Sequence, residues 1–249
     1  MADIRIDSAD GIATLLLARP DKKNAITDPM YAAFADALAA FAADAAVKVV
    51  VVTGEGPDFC AGNDISMFAA AAGGDPAASM INVRRFLDAI STFPKPLVAA
   101  VTGRAIGIGA TMLLHCDLVY LAEDAALLLP FVDLGLVPEA GSSRLLPDRI
   151  GHARAFALFG LGEPLTGTDA VALGIGNAAL PAADILPAAQ AAARRLAAKP
   201  SAALIATKAL MRDADAVRAA IDRDTAAFVE RLSSPEATAA FAAFAARKG

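Results

Sequence analysis

The chain has 249 residues, 57% hydrophobic and 20% charged, with a mean hydropathy of +0.52. That length predicts one large domain, or one domain with a small appendage, and leaves ample room for a buried core. A net charge of −5 and a pI near 5.0 exclude the basic stripe of a nucleic-acid binder. Two well-separated cysteines, Cys60 and Cys116, and two histidines exclude a disulfide framework and speak against a multi-ligand zinc site. The apolar runs are broken by charges before they reach a membrane-spanning length, as His115, Asp117, Glu123 and Asp124 break Leu113 to Leu129. The opening Met1-Ala2-Asp3-Ile4-Arg5 does not read as a signal peptide. A soluble cytoplasmic protein without a membrane or nucleic-acid partner is the expectation.

Ile4-Arg5-Ile6 and Ile12 to Leu17 read as strands joined at Asp10-Gly11, a hairpin turn signal. A polar loop, Arg19 to Asn24, precedes Asp28-Pro29, which reads as an N-cap followed by proline at the first helical position. Phe34, Leu38 and Phe41 follow at helical spacing. Val49 to Val52 is a β-branched run suited to a strand buried on both faces. Val83 to Ile90 predicts a helix, Leu97 to Val101 a strand and Gly103 to Gly109 a glycine-rich turn, with a helix continuing through Met112 to Leu114. Leu118 to Leu121 and Leu127 to Leu129 read as strands, and after Gly141 the pattern is helical to the end. Alternating strands and helices followed by helices predict an α/β domain with a helical C-terminal part. Phe228, Leu232, Phe241 and Phe244 on those alanine-rich helices suit either the core or a subunit contact.

Three segments could carry chemistry. Phe59-Cys60-Ala61-Gly62-Asn63-Asp64-Ile65 and Gly103-Arg104-Ala105-Ile106-Gly107-Ile108-Gly109 each place free backbone N–H groups where negative charge can be met. Taken singly, each glycine is also explained by a tight turn alone. Neither is a Walker A loop, and the second lacks the third glycine of a dinucleotide fingerprint. The third segment, Leu136 to Ser143, sets Glu139 among apolar residues ahead of a helix. Buried, that carboxyl would have a raised pKa and could serve as a base; exposed, it would merely cap the helix. His115 reads as a packed residue, His152 as a helix start, Asp64 as a cap for the next helix and Asp117 as a strand-end residue. Arg194, Arg195, Lys199, Lys208 and Lys248 read mostly as solvated faces.

In several ordered motifs the chain resembles the enoyl-CoA hydratase/isomerase, or crotonase, superfamily. They are Arg19-Pro20 with Asn24-Ala25, Val51 to Gly54 with Ala61 to Ile65, Pro94-Lys95-Pro96, Ala105 to Gly109 with Cys116-Asp117, and Leu134 to Pro138. Ala206-Thr207-Lys208 and Ala240-Phe241 with Phe244 fit downstream. The resemblance implies a spiral of ββα units over residues 1–190 and a helical oligomerisation region over 191–249. It implies an acyl-CoA thioester substrate from fatty-acid-type metabolism, no separate cofactor, and assembly as a homotrimer or a dimer of trimers. The oxyanion donors would be the backbone N–H groups of Asn63 and Ile108. Ala61, Gly62, Asn63, Asp64 and Ile65 would line the CoA groove with Gly107, Ile108 and Phe131, and Lys23 and Ala25 would lie near the adenine end.

The departures bear on the subclass. Hydratases of this superfamily hold a water between two glutamates, whose positions fall on Thr111 and Phe131. They usually have glycine where this chain has Glu139. A glutamate there resembles the Δ3,Δ2-enoyl-CoA isomerase branch, in which one base shuttles a proton between C2 and C4. The resemblance therefore implies an isomerase with Glu139 as its acid/base. A hydratase or another crotonase reaction is the alternative enzyme, with Asp133 as a lesser candidate acid. A non-catalytic acyl-CoA-binding scaffold is the alternative outside catalysis.

Overall fold

The protein is described here from a computed structural model, which covers residues 3–64, 67 and 80–246, with residues 244–246 by backbone alone. Ile65 and the side chain of Phe244 lie outside this description. Strand β1 (Ile4–Ala9) and strand β2 (Ile12–Leu17) form the expected antiparallel hairpin. Its turn uses positive φ at both Asp10 (53°) and Gly11 (79°), the conformation that matches strand twist. Strand β3 (Val49–Gly54), strand β4 (Leu97–Val101), strand β6 (Leu118–Ala122) and strand β9 (Ala178–Leu180) extend the sheet in parallel, in the order β1-β2-β3-β4-β6-β9. Val49 to Val52 and Leu97 to Val101 are buried throughout, as expected of inner strands of a parallel sheet.

A second sheet joins strand β5 (Arg104–Ile106), strand β7 (Ala126–Leu128) and strand β8 (Leu165–Thr166). Strand β5 occupies the middle of what the sequence predicts as one glycine turn. Strands β8 and β9 also correct the expectation of unbroken helix after Gly141. Both are too short for periodicity to reveal, and their pairing partners lie far back in the chain.

Helix α1 (Asp28–Ala43) packs on helix α2 (Ile81–Thr92) through Phe34 and Phe86, edge to face at 4.9 Å, with Tyr31 at 5.2 Å from Phe86. Thr27, not Asp28, is the N-cap; Asp28 lies inside the helix and accepts from Asn82 Nδ2 at 2.7 Å. The Pro94-Lys95-Pro96 motif has a structural use. Lys95 Nζ is buried and donates to the carbonyls of Phe41 (2.5 Å) and Asp44 (2.7 Å), satisfying the exposed end of α1.

Helix α3 (Ile108–Thr111) runs into a 3-10 turn, Met112–His115. Helix α4 (Ser142–Ile150), helix α5 (His152–Leu161) and helix α6 (Gly167–Ala172) follow. The C-terminal part holds helix α7 (Ala182–Ala197), helix α8 (Ser201–Met211), helix α9 (Ala214–Leu232) and helix α10 (Pro235–Ala246). Residue 190 falls inside α7, whose face lies against β3, β4 and β6, so no break in the chain's structure coincides with that position. Phe228 and Leu232 are buried within this chain, which places them in its own core instead of at a subunit contact. No helix among the described residues is long and apolar enough to cross a membrane.

Candidate active site

The loop Arg19 to Ile26 and the segment Cys60 to Asp64 are stitched together by main-chain hydrogen bonds: Ala61 N–H to Lys23 O (2.9 Å), Ile26 N–H to Gly62 O (2.8 Å) and Asp64 N–H to Ile26 O (2.8 Å). Lys23 and Asn24 both adopt positive φ, 52° and 56°, an uncommon state for residues with a side chain. The buried Asn24 amide supports it by donating to Glu55 O (2.9 Å) and Asp58 O (2.6 Å) and accepting from Arg19 N–H (2.9 Å). Arg19 bridges the two segments, reaching Ala25 O (2.6 Å) and Asp64 Oδ2 (3.0 Å). Asp64 is thus a partner of Arg19; the helix it was expected to cap falls outside the described residues.

The second glycine segment is bound to the first. Cys60 N–H donates to Arg104 O and Ile106 N–H to Cys60 O, both at 2.9 Å. A side chain at Gly109 would put its Cβ 2.5 Å from Cys60 O, and one at Gly62 would sit 2.9 Å from Ile106 O, so the backbones approach as only glycine allows. Gly107, at φ 54° and ψ −120°, starts α3 in a conformation suited to glycine. Asn63 and Ile108 therefore follow two chain segments pinned side by side. Among the described residues no acceptor meets the N–H of either one. The Asn63 side chain is turned to Tyr31, whose hydroxyl donates to Asn63 Oδ1 at 2.5 Å.

A cavity of about 740 Å³ opens beside these segments. Of the predicted site residues, Lys23, Ala25, Ala61, Gly62, Asn63, Asp64, Gly107 and Phe131 line it. Asp21, Lys22, Arg104 and Asp133 add charge, and Leu136, Phe228 and Phe241 add apolar wall. Ile108 and Glu139 do not line it; both are buried, at 0% and 6% exposure.

Glu139 sits in a turn just ahead of α4. Its carboxyl accepts from Thr111 Oγ1 at 2.5 Å, and its carbonyl accepts from Ser142 Oγ at 2.6 Å. Burial pushes its pKa up to about 8; the Thr111 hydrogen bond pulls it down and the negative Asp224 pushes it up. Burial raises the Tyr31 phenol and the Cys60 thiol, and the Glu139 charge adds to both, so all three share one buried neighbourhood. Both cysteine thiols stand at about 12, too high for a nucleophile at neutral pH. No cluster of three metal-ligating side chains occurs among the described residues.

One other expectation needs correction. Lys208 is no solvated residue: its ammonium donates to Lys95 O (2.8 Å) and Asp117 Oδ2 (2.7 Å) under partial burial. Asp117 also accepts from Leu97 N–H at 2.7 Å and so ties the start of β4 to α8. Tyr31, Asn24 and Arg19 are the supporting residues that sequence reasoning left without a role. The left-handed loop and the Asn63 partner arise from tertiary contacts that spacing does not encode.

A profile of the enoyl-CoA hydratase/isomerase family matches residues 7–248. The chain belongs to that family. Its members include proteins of both names among the relatives. Enoyl-CoA delta isomerase 2 of Rattus norvegicus is 40% identical over 175 residues, 69% of this chain and 44% of that protein, so the match spans less than half of its length. Enoyl-CoA hydratase ACTT3 of Alternaria alternata is 37% identical over 198 residues, 78% of this chain and 67% of that protein. Among solved structures, Pseudomonas aeruginosa OdaA superposes with a TM-score of 0.91 at 44% identity, covering 98% of this chain and 99% of that one. The crotonase spiral with a helical C-terminal region is thus the fold of this enoyl-CoA hydratase/isomerase family member.

Proposed function

We propose that this protein processes acyl-CoA thioesters and moves a double bond from C3 to C2 of a 3-enoyl-CoA, with Glu139 as its one acid/base. The observation that carries the reading is the Thr111–Glu139 pair. Where hydratases resembling this chain hold a second carboxylate, a threonine hydroxyl donates to Glu139 instead. A carboxyl with a pKa of about 8 is poised to take a proton from C2 and return it at C4 near neutral pH. The N–H groups of Asn63 and Ile108 would hold the dienolate oxygen, as fixed donors that do not titrate. In this reading Lys22, Lys23 and Arg104, which line the cavity, would face the CoA phosphates, and the acyl end would pass Asn63 and Gly107 toward Glu139. The chemistry calls for no cofactor beyond the CoA of the substrate.

A second reading, hydration of a 2-enoyl thioester, draws on Asp133, an exposed carboxylate on the cavity wall. Separate incubations with 3-enoyl-CoA and 2-enoyl-CoA distinguish the two. The isomerase reading expects fast 2-enoyl-CoA formation from the first and little 3-hydroxyacyl-CoA from the second; the reverse result refutes it. Assembly as a homotrimer or dimer of trimers belongs to the same proposal. It is supported by the exposed apolar side chains Phe156, Leu161, Leu210 and Met211.

A further inference from the structure

The residue after Glu139 is held in a conformation that needs a cause. Ala140 has φ 61° and is followed by Gly141 at 69°, so two consecutive left-handed residues turn the chain between Glu139 and α4. For alanine this region is disfavoured and persists only where surrounding structure imposes it. Ala140 is fully buried, and its carbonyl oxygen lies 2.8 Å from His115 Nε2.

The protonation state of His115 follows from its other partner. Arg212 Nη2 stands 2.8 Å from His115 Nδ1. A guanidinium only donates, so Nδ1 accepts and the imidazole hydrogen resides on Nε2, aimed at Ala140 O. Burial and the cations Arg212, Arg149 and Lys208 around the ring all oppose a second proton, while Asp117 is engaged with Lys208. On the other side of the turn, Glu139 meets Thr111 from α3 and the charge of Asp224 from α9, with Tyr31 and Cys60 nearby. Arg212 caps the end of α8, so one hydrogen-bonded line runs from the C-terminal helices through the imidazole to the peptide beside Glu139.

We propose that His115 is a positioning residue for Glu139, locked by Arg212 as the Nε2–H tautomer so that it fixes the left-handed Ala140 turn and aims the carboxyl at Thr111 and the substrate. The inference rests on the isomerase reading for its kinetic test alone. His115→Leu removes both bonds; Arg212→Met leaves the ring but frees its tautomer; His115→Gln offers an amide that can accept from Arg212 and donate to Ala140 O.

The full-length variants are compared with 3-enoyl-CoA, with Glu139→Gln alongside. His115→Leu and Arg212→Met are expected to lower kcat about 10- to 100-fold, the scale of a displaced catalytic group, with KM nearly unchanged. His115→Gln is expected to recover most of the loss. A folded His115→Leu or Arg212→Met protein with wild-type kcat overturns the proposal, as does a loss of thermal stability without a loss of kcat. Should the leucine variant not fold, Arg212→Met decides. The carboxyl band of Glu139 in the infrared, assigned against Glu139→Gln, gives a readout independent of the reaction. Its titration midpoint is expected to rise in His115→Leu as the Thr111 bond loosens, and an unmoved midpoint contradicts the proposal. An active Glu139→Gln enzyme refutes the isomerase reading and leaves the infrared result to judge His115.

Discussion

Thr111 Oγ1 donates to Glu139 Oε1 across 2.5 Å in a buried setting. The contact joins the first turn after the second glycine segment to the turn ahead of α4, residues 28 positions apart in the chain. It stabilises the carboxylate form against a burial that favours the neutral acid. Thr111→Val keeps the shape and removes the donor. A hydrogen bond to a charged group contributes about 1.5–3 kcal/mol, so the Glu139 titration should move up by about one to two pH units. The acid limb of the pH–rate profile should shift by the same amount; a profile superimposable on that of the wild type would deny the contact this role.

The raised Glu139 pKa also predicts how stability varies with pH. The native carboxyl holds its proton up to about pH 8, whereas a free glutamate loses it near 4.5. Between those values the folded state binds the extra proton, so this group's contribution is greatest at low pH and is lost as pH rises. The slope is about 1.4 kcal/mol per pH unit within the window. Glu139→Gln removes it. Chemical denaturation at pH 5 and pH 8 should show the variant gaining stability relative to wild type at the higher pH. An equal difference at both values would mean that Glu139 titrates normally.

In the proposed reaction the Asn63 main-chain N–H would be an oxyanion donor, while its side chain accepts from Tyr31. Asn63→Ala preserves the N–H and most of the activity, but strands the Tyr31 hydroxyl, at a cost to stability of about 1–3 kcal/mol. Asn63→Pro removes the donor and should raise the barrier by about 2.7–4 kcal/mol, plus whatever the backbone distortion adds. Thermal unfolding and kcat measured on both variants separate the two effects. Equal inactivity of the two would assign the side chain a part in the reaction.

Removing residues 235–249 tests where the last helix belongs. Ala240, Phe241 and Ala243 line the cavity, and the buried Ala237 backbone sits so close to Gly135 that a Cβ there would lie 2.7 Å from Ala237 N. Truncation should raise KM for acyl-CoA by opening this wall. Sedimentation of the same protein reports on assembly: dissociation would show that the helix also meets a neighbouring subunit, and an intact assembly would confine it to its own chain.

The strands and long helices were legible because their hydrophobic periods are plain: Val49 to Val52 for a sheet covered on both faces, Phe34, Leu38 and Phe41 for an amphipathic helix. Gly107 and Gly109 marked the second loop, and Glu139 stood out as one carboxylate in an apolar stretch. What stayed hidden depends on contacts between distant segments. Strand β9 is three residues long and acquires its identity by pairing with β6. Asn24 clamps two carbonyls more than 30 positions away, and Lys208 is drawn inward by Asp117. His115 reads in sequence as a packed residue, which it is, but its two hydrogen-bonding partners come from α8 and the Glu139 turn.

In the proposed reaction Glu139 is the one proton carrier of the double-bond shift. Glu139→Gln keeps the volume of the side chain and can still accept from Thr111, but it cannot take a proton from C2. The most direct measurement is kcat/KM of wild type and this variant with 3-enoyl-CoA, with acyl-CoA affinity measured on both. Unchanged affinity and a loss of activity of at least about 100-fold, the lower end for general acid–base catalysis, are expected. A variant that binds acyl-CoA and isomerises it at the wild-type rate would contradict the account and pass the role to Asp133 or another acid.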